Sequence, residues 1–263
     1  MIVGRTHYMQ AAAQLLTLLI PLLDSPAHID GNLNEWKDRA FHDGVWDIHR
    51  VAQAPWYDGG KRNRLTLHGH ETATPEDDLS ARYYMAWDSK YLYLGAEVKD
   101  NVNDVADPAH EDKRWYFKDA ICWFVEAPRD AKAESFGEGD NAFCFVIDPR
   151  KPKYGAWWRH GDATRTYIEE PLKAADYAIR MHGSGGDFTL EARVDMAATL
   201  GKSSPAWHAP RIGDEYSVEV VHTDPDGGAY GGHLMIWGNG DDDSTWSPMR
   251  LTGPRKPVER LPQ

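Results

Sequence analysis

Residues 81–98 read ARYYMAW-DSK-YLYLGAEV, and this stretch decides the fold class. Two runs of aromatic and apolar side chains flank the polar Asp88-Ser89-Lys90. Aromatic and β-branched residues suit a pleated, partly buried surface. Asp and Ser bond their own backbone in tight turns, so the pair predicts a β-hairpin. The pattern recurs at Ala120–Glu126 (AICWFVE), Ala142–Asp148 (AFCFVID), Tyr177–His182, Phe188–Val194 and Tyr216–His222, each bounded by Gly, Pro, Asp or Asn. Only Leu33–Ala40, with Asn32 as cap, and Asp195–Leu200, with Gly201 as stop, read as helical. Many short strands and few helices predict an all-β fold: an antiparallel sandwich of immunoglobulin or jelly-roll kind with one or two short helices. Ala52–Leu79 mixes Gly, charge and His and reads as a long surface excursion.

The 263 residues suffice for one large all-β domain with a core that needs no metal or disulfide support. Lys plus Arg against Asp plus Glu gives 29 − 41 = −12. Nucleic acid and anionic membrane surfaces both reward basic patches, so neither is expected as a partner. At the N-terminus, Arg5 and His7 precede an apolar run from Ala11 to Leu23, followed by Ser25-Pro26-Ala27. This reads as a secretory signal peptide over 1–27, leaving a single domain over 28–263 in a secreted or periplasmic protein. Cleavage there would make His28 the N-terminus, where amine and ring together can chelate copper.

Enzyme signatures are poor. The chain has no nucleophile elbow, phosphate-cradling Gly loop, His-Glu-x-x-His or Cys-x-x-Cys. His68-Gly69-His70 puts two imidazoles on one side of an extended segment, a weak metal signal in a chain with twelve His. Carboxylate pairs carry little meaning in so acidic a sequence.

Four stretches, in order, carry a family resemblance. Ile29-Asp30-Gly31-Asn32-Leu33-Asn34-Glu35-Trp36 with Ala40 resembles the opening of carbohydrate-binding module family 9 and its DOMON-like relatives. Trp87-Asp88 through Tyr93, then Val98-Lys99-Asp100, resembles the family's central hairpin. Trp115 to Phe124 resembles its "W…D-S-V-E-I-F" segment, and Thr223-Asp224-Pro225-Asp226-Gly227 through Trp237 and Trp246-Ser247-Pro248 resembles its close. The resemblance implies a carbohydrate-binding β-sandwich that holds a polysaccharide or oligosaccharide in an aromatic clamp, alone or beside a polysaccharide-degrading enzyme. Rings stack on sugar C–H faces while amides and carboxylates bond the hydroxyls. The clamp residues it implies are Trp237 and either Trp115 or Tyr116. Trp157 and Trp158 are adjacent and face opposite ways on a strand, so one of them is an added platform.

Two departures follow. The family's sugar-binding Glu falls on Cys122 and its Arg on Cys144, the only cysteines in the chain. On neighbouring strands in a secreted protein these pair as a disulfide. Hydrogen-bonding groups then come from Arg114, Asp119, Asn141, Arg159, His160 or Asn239. The resemblance also implies structural calcium, with Asp224 and Asp226, or the run Asp241-Asp242-Asp243, as oxygen ligands. Two other function classes stay open. One is a lyase or hydrolase using Tyr116, Tyr154, Arg159, His160 and Tyr167. The other is b-type haem binding through Met85, Met235 or His.

Overall fold

The computed structural model describes residues 16–61, 75–102, 114–132, 136–148, 154–160, 167–183, 185–225 and 232–255. In chain order the strands are β1 (Leu18–Pro21), β2 (Leu79–Trp87), β3 (Tyr91–Asp100), β4 (Ala120–Glu126), β5 (Asp140–Val146) and β6 (Tyr154–His160). They continue as β7 (Tyr167–Pro171), β8 (Tyr177–Met181), β9 (Phe188–Asp195), β10 (Glu215–Thr223), β11 (His233–Met235) and β12 (Ser247–Thr252). The quoted hairpin forms: β2 and β3 pair antiparallel from Trp87↔Leu92 to Leu79↔Asp100. Asp88 Oδ1 closes the turn by accepting the Lys90 and Tyr91 amides, each at 2.7 Å.

Two sheets stack into a sandwich. The larger runs β1-β12-β10-β4-β5-β6-β7, with β11 against β10, and the smaller runs β2-β3-β9-β8. Between them Tyr83, Met85, Leu94 and Leu190 pack on Trp123, Phe143, Phe145 and Val220. One polar pair sits in this apolar layer, the Tyr83 hydroxyl with His222 Nδ1 at 2.8 Å. Burial drives the His222 ring down to about 3, so it is a neutral imidazole. On the opposite face of β10, the fully buried Glu219 carboxyl accepts the amides of Ile236 at 2.8 Å and Trp237 at 2.5 Å. Glu219 thus pins the chain where it leaves β11, and burial pushes its carboxyl well above the usual range.

The all-β sandwich is as expected, with its large sheet mixed because β1 runs parallel to β12, Leu18↔Met249 to Pro21↔Thr252. The structure corrects several finer expectations. Leu33–Ala40 is two 3-10 turns, Leu33–Glu35 and Lys37–Arg39, about the buried Trp36. Asp195–Leu200 is mostly turn, and the helical turn begins where it was expected to end, over Leu200–Ser203, with Gly201 inside it. The strand expected at Ala142–Asp148 begins two residues earlier, at Asp140. Part of the Ala52–Leu79 excursion packs inward, since Trp56 touches both apolar clusters and donates to the Met235 carbonyl at 3.1 Å. His68 and His70 lie outside the described residues. No described helix is long and apolar enough to cross a membrane.

The segment expected to serve as a leader holds β1. Leu18 and Ile20 are in the core, at 2% and 0% exposure, and Trp87 donates its indole N–H to the Ile20 carbonyl at 3.1 Å. The chain then crosses to the small sheet, where Leu23 donates to the Trp87 carbonyl at 2.7 Å. Cleavage after Ala27 would remove this strand. Burying one Leu or Ile contributes about 1.5–3 kcal/mol. A chain beginning at His28 should therefore unfold in urea with roughly 3–6 kcal/mol less stability than one beginning at Leu16. Equal stabilities would show that β1 contributes nothing.

Candidate functional site

Alternation along the central strands gives the large sheet two apolar faces. β4 and β5 are buried along their whole lengths. Ile121, Trp123 and Val125 face the small sheet; Ala120, Cys122 and Phe124 face outward with Ala142, Cys144, Val146, Val221 and Met235. The outward face is hollowed into a cavity of about 590 Å³. That volume is in the ordinary range for small-molecule sites.

The floor of the cavity is strand. Phe124, Ala142 and Trp158 lie in register across β4, β5 and β6. One row along, Cys122 stands directly opposite Cys144, and the two form the expected disulfide, both fully buried. The walls are the turn Trp115–Phe117, Phe136, Tyr167 and the loop at Gly240-Asp241. Gly240 lies against the floor: a Cβ there would come within 2.9 Å of Val221 Cγ2, so the loop closes only with glycine.

Six rings contact one another in a chain around the cavity. Tyr116 meets Trp115 at 5.7 Å, Trp115 meets Phe124 at 6.3 Å and Phe124 meets Phe136 at 6.2 Å. Phe136 meets Tyr167 at 5.0 Å, and Tyr167 meets Trp158 at 6.2 Å. Most are edge-to-face, the geometry the ring quadrupole favours. Arg114, His233 and Asp241 add polar groups to the lining.

The expected site residues are divided by this geometry. Trp115, Tyr116 and Trp158 line the cavity; Trp158 is the outward member of the 157/158 pair. Trp237 does not line it. Its ring is 2% exposed, packs on Phe41 and Tyr83 at 6.0 Å each, and donates to Asp43 Oδ2 at 3.1 Å. Trp157 is buried in the sandwich core and donates to Asn141 Oδ1 at 2.9 Å. Arg159 shares the Trp157 face, stacked 5.4 Å from that ring and paired with Glu170 at 3.3 Å. Asn239 shapes the loop beside the cavity: its carbonyl accepts the Trp246 indole N–H at 2.8 Å and its side chain the Asp241 amide at 3.1 Å.

Residues of the enzyme and haem alternatives are scattered. Tyr116 and Tyr167 line the cavity, Tyr154 donates to Glu169 at 2.5 Å, and Arg159 faces away. Met85 is in the centre of the core and Met235 in the cavity floor. Sequence reasoning missed Phe136 and left Tyr167 among catalytic candidates, because Phe136 lies in a turn and β7 carries no alternating signal.

Two groups of buried carboxylates lie at the ends of the large sheet's strands. Asp100, Asp119 and Asp224 bring buried oxygens within 4.8 Å of one another; Asp226 lies outside the described residues. Glu126, Asp140 and Asp243 do the same. In the second group Glu126 stands opposite Asp140 in the β4–β5 ladder, and Asp243 opens the turn that follows the cavity loop. Glu126 accepts Ser217 Oγ at 2.7 Å and the Ala131 amide at 2.8 Å. Asp140 accepts the Gly137 amide, yet its buried Oδ1 has no partner among the described residues. Burial, then the Asp243 and Glu126 carboxylates, push Asp140 up to about 8 against that hydrogen bond.

A family described as carbohydrate family 9 binding domain-like matches residues 52–254. No curated protein sequence matches the chain. Two similar solved structures are of a carbohydrate binding module family 9 from Caldicellulosiruptor kristjanssonii. The one in complex with cellotriose is 15% identical with a TM-score of 0.53, covering 94% of this chain and 99% of that one. The one in complex with glucose is 14% identical with a TM-score of 0.54, covering 92% and 100%.

The disulfide beside the floor closes a loop of sequence separation 22. Closing such a loop restrains the unfolded chain by about 3 kcal/mol. Replacing both Cys122 and Cys144 with Ala should lower the urea unfolding free energy by roughly that amount. An unchanged midpoint would mean that the pair is not bonded in solution.

Proposed function

Because the chain belongs to the carbohydrate family 9 binding domain-like family, we propose that it binds a carbohydrate in the aromatic cavity on the outward face of its large sheet. The observation that carries this reading is the chain of six contacting rings around a strand-built floor. The faces of Trp115 and Trp158 serve as stacking platforms for sugar C–H groups, and Arg114, His233 and Asp241 supply partners for hydroxyls. The clamp is thus Trp115 with Trp158, and the role first expected of Trp237 passes to Trp158. The same reading has the protein working in an oxidising compartment, supported by the Cys122–Cys144 disulfide.

Calorimetric titration with cello-oligosaccharides and xylo-oligosaccharides tests this. Trp115→Ala and Trp158→Ala should each weaken binding about tenfold or more, equivalent to about 1.4 kcal/mol. Trp237→Ala should instead destabilise the fold by about 3–5 kcal/mol as a core truncation. Binding that survives both platform substitutions would place the sugar elsewhere.

The reading includes a structural calcium ion at Glu126, Asp140 and Asp243. Calcium takes clustered carboxylate oxygens, and Asp140 Oδ1 is a buried acceptor with no donor among the described residues, which a cation would satisfy. The pH dependence follows from the raised Asp140 carboxyl. Unfolded, an Asp ionises near 4; folded without a cation, Asp140 ionises at about 8. Metal-free protein should therefore lose stability as pH rises from about 4 to about 8, because only the unfolded chain releases the proton. Calcium selects the ionised form, so the rise in Tm that it produces should grow over the same range. Asp140→Asn should raise the Tm of the metal-free protein at pH 8 and abolish the calcium response. A calcium effect that is flat with pH, or that is retained in Asp140→Asn, would count against this site.

A further inference from the structure

Sugar hydroxyls buried in a site need polar partners, and among the described residues the cavity offers none at its centre. The central floor is Phe124, Ala142, Val221 and Met235, which carry no hydroxyl, amide or charge. Beside it, one row along the same face, lie Cys122 and Cys144, at 0% exposure and joined to each other. Polar side chains come from the walls, Arg114, Tyr116, Tyr167 and Asp241, and from the β10–β11 end, Thr223 and His233. Thr223 is already committed, donating to the Lys118 and Ala120 carbonyls at 2.6 and 3.2 Å. A pyranose lying flat on this floor would bury hydroxyls against carbon, which is costly without a partner.

The floor instead fits a ring with no hydroxyls. Ala142 is the small residue between Phe124 and Trp158 in the β4–β5–β6 row, so it leaves a gap there. Phe136 and Tyr167 border the same gap, meeting each other at 83°, while Phe136 meets Phe124 at 84°. An aromatic ring entering there meets edges and faces in the geometry that such pairs prefer. An apolar cavity of about 150 Å³ is enough to hold benzene. The cavity of about 590 Å³ therefore has room for an aryl ring and a sugar together.

We propose that the preferred ligand is a sugar carrying an aryl group, with the aryl ring over Ala142 and the sugar toward Arg114 and Asp241. This rests on the carbohydrate reading of the cavity and names its ligand class. The aryl group can be a glycosidic aglycone or the acid of an aromatic ester; both present the same ring.

The test is calorimetric titration of the full chain with methyl β-glycosides, phenyl β-glycosides and benzoyl esters of glucose and xylose, with cellotriose alongside. Phenyl or benzoyl compounds should bind about tenfold or more tightly than their methyl counterparts, and the tighter of the two identifies the linkage. Ala142→Leu, which fills the gap, should bring the ratio of aryl to methyl affinity close to one. Tyr167→Ala, at a position 48% exposed and so of small consequence for folding, should lower the same ratio. Equal affinity for methyl and aryl compounds would overturn the aryl seat and leave the carbohydrate reading standing. An aryl gain undiminished in both variants would also overturn it, since the ring would then sit elsewhere. Benzyl alcohol binding as tightly as the phenyl glycosides would overturn the sugar part. Failure of every glycoside and of cellotriose would remove both readings.

Discussion

The pairing of β4 with β5 is the constraint on which the rest depends. Both strands are buried from end to end, so each face of this ladder must find apolar company. Cys122 opposite Cys144 locks the register covalently. In a strand the side-chain period is two, so a slip of one residue would exchange the faces. Trp123, Phe143 and Phe145 would leave the sandwich core, and Phe124, Ala142 and the cysteines would enter it. A disulfide between directly opposed residues therefore defines which side chains reach the cavity as well as adding stability.

Burial of the outward face explains the rest of the site. A sandwich needs only one apolar face per sheet, with the other left to solvent. Here the second face is covered by rings from turns and loops: Trp115 before β4, Phe136 before β5, Tyr167 on β7 and Trp246 before β12. Glu126 and Asp140 share that outward face, so the same cover that builds the cavity removes water from their carboxylates. This is why Asp140 is pushed so far up, and why an acidic group and an aromatic cavity are neighbours. Gly240 and Asn239 lie on the loop between them, so the cavity wall and the acidic group hang on one short segment.

The strands were legible where alternation was strong. The hairpin at 81–98 and the AICWFVE strand need no tertiary information, and Cys122 and Cys144 pair as their place on neighbouring strands led one to expect. Leu18–Pro21 was not legible, because a short apolar run looks alike as a leader and as a buried strand. Its strand partner, β12, lies more than two hundred residues away in the sequence, so no local signal marks the pairing. Trp237 was misplaced for a related reason. The resemblance implied a place for it in the clamp, but Glu219 holds the Trp237 amide and Asp43 its indole, which turns the ring inward. Both partners are distant in sequence, and neither carries a local signal.

The cysteine pair links the legible and illegible halves of the site. A resemblance to a sugar-binding family places a carboxylate and a guanidinium where this chain has sulfur, and fully buried sulfur can neither accept nor donate strongly there. Sulfur in place of charge at these two positions leaves a floor that offers carbon and rings to whatever it desolvates. A charged floor pairs with hydroxyls, and its rings add stacking. An apolar floor framed by Phe124, Phe136, Trp158 and Tyr167 favours whatever part of a ligand has the least to lose on leaving water. The polar lining is displaced toward Arg114, His233 and Asp241, so a ligand satisfies this site by being two-sided: apolar at one end and hydroxylated at the other.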